Sequence, residues 1–148
     1  MNINGIVVRG HGVASGQSND PRYPEGTLVK QLPFFKEKGL DLTTYYPGTI
    51  NLDVSPFEYE IIEPYRFFKE IRWSEYIPAE NFYFFNFVVF RNHRRIGGLI
   101  YMPDPDTKIE HNQGASILEL ILPKIENLNY GDSLKIDVPN TQLHFYDK

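Results

Sequence analysis

The sequence predicts a small, mainly β protein, either a closed barrel or a sandwich, and three observations predict it. Aromatic residues make up 15% of the chain, with 10 Tyr and 11 Phe. They gather with β-branched residues in short segments rather than at helical spacing, which is strand composition. Turn-forming residues recur at close intervals between those segments, as barrels and sandwiches require.

Taken in order, residues 4–8 read as a first strand and 48–54 as the next clear one. Residues 59–63 and 65–73 read as further short strands. The richest run, Asn81-Phe82-Tyr83-Phe84-Phe85-Asn86-Phe87-Val88-Val89-Phe90, is apolar on both faces and reads as crossing the middle of a closed sheet. Residues 91–95 form a polar turn, and 96–101 return as the hairpin partner. Segments 116–122 and 134–138 complete the set. Only residues 28–39 carry a helical pattern, which Pro33 interrupts. There is no internal repeat, low-complexity stretch or linker, so residues 1–148 read as a single domain.

Composition removes several function classes. At 148 residues the chain is long enough to bury a core without covalent staples. It has no cysteine, which excludes disulfide frameworks, thiolate zinc sites and cysteine nucleophiles. The four histidines, His11, His93, His111 and His144, match no ligand spacing. No apolar run approaches the roughly 18 residues of a membrane span, and Met1-Asn2-Ile3-Asn4-Gly5 lacks the character of a signal peptide. The expectation is a soluble, cytoplasmic protein without a membrane partner. A formal charge of −4 has the wrong sign for neutralising a phosphate backbone, so nucleic acid is not expected either. The basic cluster Arg91, Arg94 and Arg95 reads as a solvated turn.

Three places can carry chemistry. In Tyr46-Pro47-Gly48-Thr49-Ile50-Asn51-Leu52 a tight turn leads into a strand. Strand alternation then points Thr49 and Asn51 to one side and Ile50 and Leu52 to the other. Two neutral oxygens can serve a hard cation such as Mg²⁺, which fills the rest of its octahedron with waters and substrate phosphates. On these residues alone the segment is equally ordinary turn and strand chemistry. The loop after the first strand, 10–23, combines glycines, small hydrogen-bond donors and Arg22, a mixture suited to phosphate and equally to a plain surface loop. It is no Walker loop, since the GxxxxGK[ST] order is missing. Lastly, Glu119 lies within Ser116-Ile117-Leu118-Glu119-Leu120-Ile121-Leu122. A carboxylate there must be paired, exposed on an edge strand, or shifted toward its neutral form.

In sequence order these residues resemble the archaeal CTP-dependent riboflavin kinases, a family of small cradle-loop β-barrels unrelated to P-loop kinases. Gly5-Ile6-Val7-Val8, Ser15-Gly16 and Arg22-Tyr23 resemble the family's first strand and nucleotide loop. Pro47-Gly48-Thr49-Ile50-Asn51-Leu52 is similar to its [PE]GTLN motif. Arg95-Ile96-Gly97-Gly98-Leu99-Ile100-Tyr101-Met102-Pro103 is similar to its hairpin return. Ile117-Leu118-Glu119-Leu120-Ile121-Leu122-Pro123 is similar to its EIIEIIAP segment, and Leu128-Asn129-Tyr130-Gly131-Asp132-Ser133-Leu134-Lys135-Ile136 resembles its closing L-x-x-GD-x-[IVL]-x-I strand.

The resemblance implies a single six-stranded cradle-loop barrel with one or two short helices. It assigns Thr49 and Asn51 to Mg²⁺, and Gly16, Gln17, Ser18, Asn19 and Arg22 to the nucleotide phosphates. Lys124, Ile125, Glu126 and Asn127 fall on the segment that helps hold the cytidine nucleotide. Glu119 falls on a flavin-contacting carboxylate that can also orient the accepting hydroxyl as a catalytic group, and Thr107 on a flavin-contacting threonine. The implied reaction transfers the γ-phosphoryl group of CTP, or of another nucleoside triphosphate, to the ribityl hydroxyl of riboflavin or a close analogue, giving FMN. The loop Gly16-Gln17-Ser18-Asn19-Asp20-Pro21-Arg22-Tyr23 lacks two glycines and the Glu of the family's usual G-x-G-E-G-[RK]-[YF] and is one residue longer. The alternative is therefore a barrel that binds nucleotide or flavin without phosphoryl transfer.

Overall fold

The computed structural model describes residues 1–9, 27–104 and 116–147. Strand β1 (Asn2–Val8) is followed by helix α1 (Thr27–Glu37), β2 (Ile50–Asp53), β3 (Phe57–Ile61), β4 (Arg66–Ile71) and the long β5 (Glu80–Arg91). Strands β6 (Arg94–Pro103), β7 (Ile117–Ile121), β8 (Ser133–Asp137) and β9 (Leu143–Asp147) complete the chain.

Six of these strands close an antiparallel barrel. The order runs β5-β6-β7-β2-β1-β8, and β8 returns to β5 through Val88↔Asp137, Val89↔Ile136 and Phe90↔Lys135. Closure leaves no free edge within the ring. The first half of β5 pairs instead with β4 outside the ring, through Arg66↔Phe84 and Phe68↔Phe82. Strand β9, for which the sequence gives no expectation, pairs with β3 in a separate two-stranded sheet and packs Leu143 and Phe145 into the barrel core.

Alternation divides each barrel strand into an inner and an outer row. The inner row holds Ile3, Leu52, Phe85, Phe87, Ile100, Leu118, Leu120 and Ile136 in one continuous core. It is so close-packed that a Cβ on Gly98 would overlap the Ile121 carbonyl oxygen, and one on Gly5 would come within 2.6 Å of Leu52 Cγ. The outer row, on one side only, meets a second apolar layer under α1. Phe82, Phe84, Leu99, Tyr101 and Ile121 pack there against Leu28 and Phe35 of the helix. The double-sided apolar character of residues 81–90 is thereby explained: Phe85, Phe87 and Val89 serve the barrel, and Phe82 and Phe84 serve the helix.

Two local expectations need correction. Helix α1 runs through Pro33 rather than being interrupted there. The proline removes one backbone donor, but the face formed by Leu28, Gln31 and Phe35 is buried, and packing of that face holds the helix together. The turn expected over 91–95 is only Asn92 and His93, both with positive φ (51° and 63°), while Arg91 and Arg94 are already paired strand residues. Two successive positive φ values match the hairpin turn whose twist suits the flanking strands.

Phe35 is the helix's anchor, with ring centroids 5.1 Å from both Phe82 and Phe84 and 5.8 Å from Phe68. Phe35→Ala is expected to lower unfolding free energy by about 3–5 kcal/mol in urea titration. A loss below about 1 kcal/mol would show that the second layer does not depend on this ring.

Candidate functional site

The site is built from the outer row of β6, β7 and β2, where one register sets three side chains abreast. Tyr101 pairs with Glu119 across β6 and β7, and Glu119 pairs with Asn51 across β7 and β2. All three belong to the row opposite Leu118, Leu120 and Leu52, which fill the barrel.

The turn before β2 brings in the fourth member. Pro47 holds a tight turn in which the Gly48 N–H donates to the Tyr46 carbonyl at 2.9 Å. The Tyr46 N–H in turn donates to the Leu122 carbonyl at 3.0 Å, which ties the turn to the end of β7. Thr49 is thereby placed diagonally from Glu119, and its Oγ1 donates to Glu119 Oε1 at 3.2 Å. Strand β7 is bonded on both edges, by β6 and β2, so Glu119 is not on an edge strand. Of the three possibilities for this carboxylate, pairing is the one observed.

Beneath the row lies a polar contact that joins the sheet to the helix. The buried Tyr101 hydroxyl donates to Gln31 Oε1 at 2.6 Å, across the α1 interface. Burial first, and then the negative charges of Glu119 and Glu80, push the Tyr101 phenol well above its ordinary value. Tyr59 is raised for the same two kinds of reason, burial and Glu119. Glu80 is itself buried and accepts a hydrogen bond from Trp73 Nε1 at 3.1 Å.

Thr49, Asn51 and Glu119, three of the residues singled out from sequence, therefore share one face. Residues 124–127 begin two positions after Leu122, at the end of β7 that carries the 46–49 turn. Lys124, Glu126 and Asn127 are exposed, and Ile125 is half-buried against the core. Asn127 closes the segment with φ of 60°, and its carbonyl accepts from Arg91 Nη2 at 3.0 Å. Gly16, Gln17, Ser18, Asn19, Arg22 and Thr107 lie outside the described residues. So do His11 and His111; His93 and His144 are exposed.

Sequence reasoning missed Tyr101 and Gln31. Gln31 left a signal, as a polar residue on the apolar stripe of α1 between Leu28 and Phe35. Tyr101 left none, because its place beside Glu119 depends on the β6–β7 register.

The donor set suits a hard cation that arrives with phosphate. Among the described residues no group of three His, Cys, Asp or Glu gathers around a common centre. The oxygens at hand are one hydroxyl, one amide and one carboxylate. Because the Thr49 hydroxyl proton is directed at Glu119, the lone pairs of Oγ1 remain for a cation. So sparse an anionic shell fits Mg²⁺ only when a substrate supplies further oxygens. No protein-family model matches the chain, and no curated protein matches it. Among the described residues no helix is long and apolar enough to cross a membrane.

The raised phenols make a prediction with a defined sign. An unfolded chain ionises its tyrosines near 10.0, whereas Tyr101 resists in the native state. Its contribution to stability is thus intact below about pH 10 and is lost as pH rises further. Phenolate absorbance followed against pH should show Tyr101 ionising only as the protein unfolds, and Tyr101→Phe should reduce the alkaline loss of stability. Ionisation of every tyrosine near pH 10 with the fold intact would contradict this placement.

Proposed function

We propose that the chain is a phosphotransferase of the riboflavin-kinase type, moving the γ-phosphoryl group of CTP to the terminal ribityl hydroxyl of riboflavin with Mg²⁺, to give FMN. The observation that carries this reading is the Thr49–Glu119 contact beside Asn51 on one outer face of a six-stranded barrel. The order of motifs along the sequence supports it independently.

Phosphoryl transfer asks a protein mainly for alignment and charge neutralisation. Thr49 Oγ1 and the Asn51 amide oxygen are the groups that would hold the metal, which supplies positive charge to the phosphate oxygens when bound. Glu119, whose Oε1 accepts the Thr49 hydroxyl proton, fixes which way the Thr49 lone pairs face. The Glu119 carboxylate would also orient the accepting hydroxyl, the role that the family resemblance gives it. Lys124, at the adjoining end of β7, adds a cation where a nucleotide would lie. Tyr101 and Gln31 keep the floor of the row fixed under α1.

The deciding assay is formation of FMN from riboflavin with CTP and, in parallel, ATP, in the presence and absence of Mg²⁺. Turnover that requires the metal is expected. Asn51→Leu should lower it by about a hundredfold or more, since a direct ligand contributes at least as much as the groups behind one. Retained turnover in that variant would remove Asn51 from the metal. Quenching of riboflavin fluorescence without turnover would favour a non-catalytic binding barrel, and no response to either ligand would overturn both readings.

A further inference from the structure

The same outer face carries a recess that begins at Leu99, two positions before Tyr101 on β6, and extends to Gly97 and Arg95. It has a volume of about 630 Å³, within the range of small-molecule pockets, and neither Thr49, Asn51 nor Glu119 lines it. Its floor is Gly97, which pairs with Val88 of β5. Leu99 lies beside it, and Tyr45 and Tyr65 line the walls.

Gly97 is the telling residue. Glycine in a strand interior weakens the strand and often marks a place where another group approaches closely. Next to it, Gly98 is required by packing, because a Cβ there would overlap the Ile121 carbonyl oxygen. No such reason applies to Gly97: among the described residues nothing lies within 4 Å of where its Cβ would be. A side chain there would have room at its Cβ and would take up part of the recess. The missing side chain leaves a bare patch of sheet flanked by aliphatic and aromatic surface, a shape suited to a flat ring.

The rim sets the polarity of that ring. Arg95 lines the recess as a donor, with its guanidinium 5.7 Å from the centroid of Phe90. Asp41 and Asp137 line it as acceptors. Asp41 already accepts from the Thr43 hydroxyl at 2.7 Å and the Thr43 N–H at 3.0 Å, which holds its carboxyl below the usual value and keeps it anionic. Asp137 accepts from the terminal ammonium of Met1 at 3.0 Å. With the Asp137 charge offset by the Met1 ammonium and that of Asp41 by Arg95, the rim has no net charge, which suits a neutral heterocycle with amino and carbonyl groups on its edge. A rim without net positive charge offers little to a polyphosphate.

We infer that this recess is a binding site for the base of a purine-sized neutral heterocycle, separate from the Thr49–Glu119 row. The inference does not rest on the kinase reading, because it uses none of the same side chains.

Backbone amide shifts of the full chain, titrated with adenosine and with guanosine, test it directly. Saturable shifts at Val88, Gly97 and Leu99 are expected, with ATP weaker than adenosine at these positions. Gly97→Leu should weaken nucleoside binding by about tenfold or more while thermal unfolding stays unchanged or rises. Arg95→Gln, at an exposed position outside the buried core, should weaken guanosine binding. Absence of shifts at these amides, equal affinity of Gly97→Leu or of Arg95→Gln, or tighter binding of ATP than of adenosine would each overturn the proposal.

Discussion

Hydrogen bonding of β7 on both edges is the constraint on which the rest depends. With β6 on one side and β2 on the other, the residues of β7 have no freedom of register. A shift by one residue would turn Leu118 and Leu120 out of the barrel and Glu119 into it. The apolar core that penalises this shift is the same core that keeps Glu119 outside, opposite Asn51 and beside Tyr101. Packing inside the barrel thus fixes the polar geometry of Thr49, Asn51 and Glu119 on its outer face.

The electrostatic consequence is a site with one strong charge and several neutral donors and acceptors. Glu119 is felt by both Tyr59 and Tyr101, which stay neutral because burial and a nearby carboxylate act in the same direction. Thr49 and Asn51 add oxygens without adding charge. An arrangement this poor in anions has little to offer a bare divalent cation. It is suited to one accompanied by phosphate, and this distinguishes it from sites built of clustered carboxylates.

Much of the fold was legible because its cause is local. The aromatic and β-branched runs mark the strands directly, and the two-faced apolar run at 81–90 announces a strand with a packed layer on each side. Thr49 and Asn51 were legible as a pair because strand alternation over two residues needs no tertiary knowledge. What stayed hidden depends on long-range pairing. From sequence Glu119 can be paired, exposed on an edge or shifted toward its neutral form, and only the β2–β7–β6 order removes the edge. Strand β9 was hidden because His144 and Tyr146 face outward and leave only Leu143 and Phe145 as an apolar signal. Pro33 misled because its local cost is plain in the sequence, whereas the compensating burial of Phe35 is not.

The central claim is that Thr49 and Asn51 act together as the protein's share of a metal shell completed by phosphate. Crystals grown with Mn²⁺ and a non-hydrolysable CTP analogue would test it most directly through the anomalous signal of the metal. A peak is expected within about 2.0–2.3 Å of both Thr49 Oγ1 and the Asn51 side-chain oxygen, present with the nucleotide and lost without it. A peak elsewhere on the barrel, or nucleotide bound with no metal at these two oxygens, would contradict it.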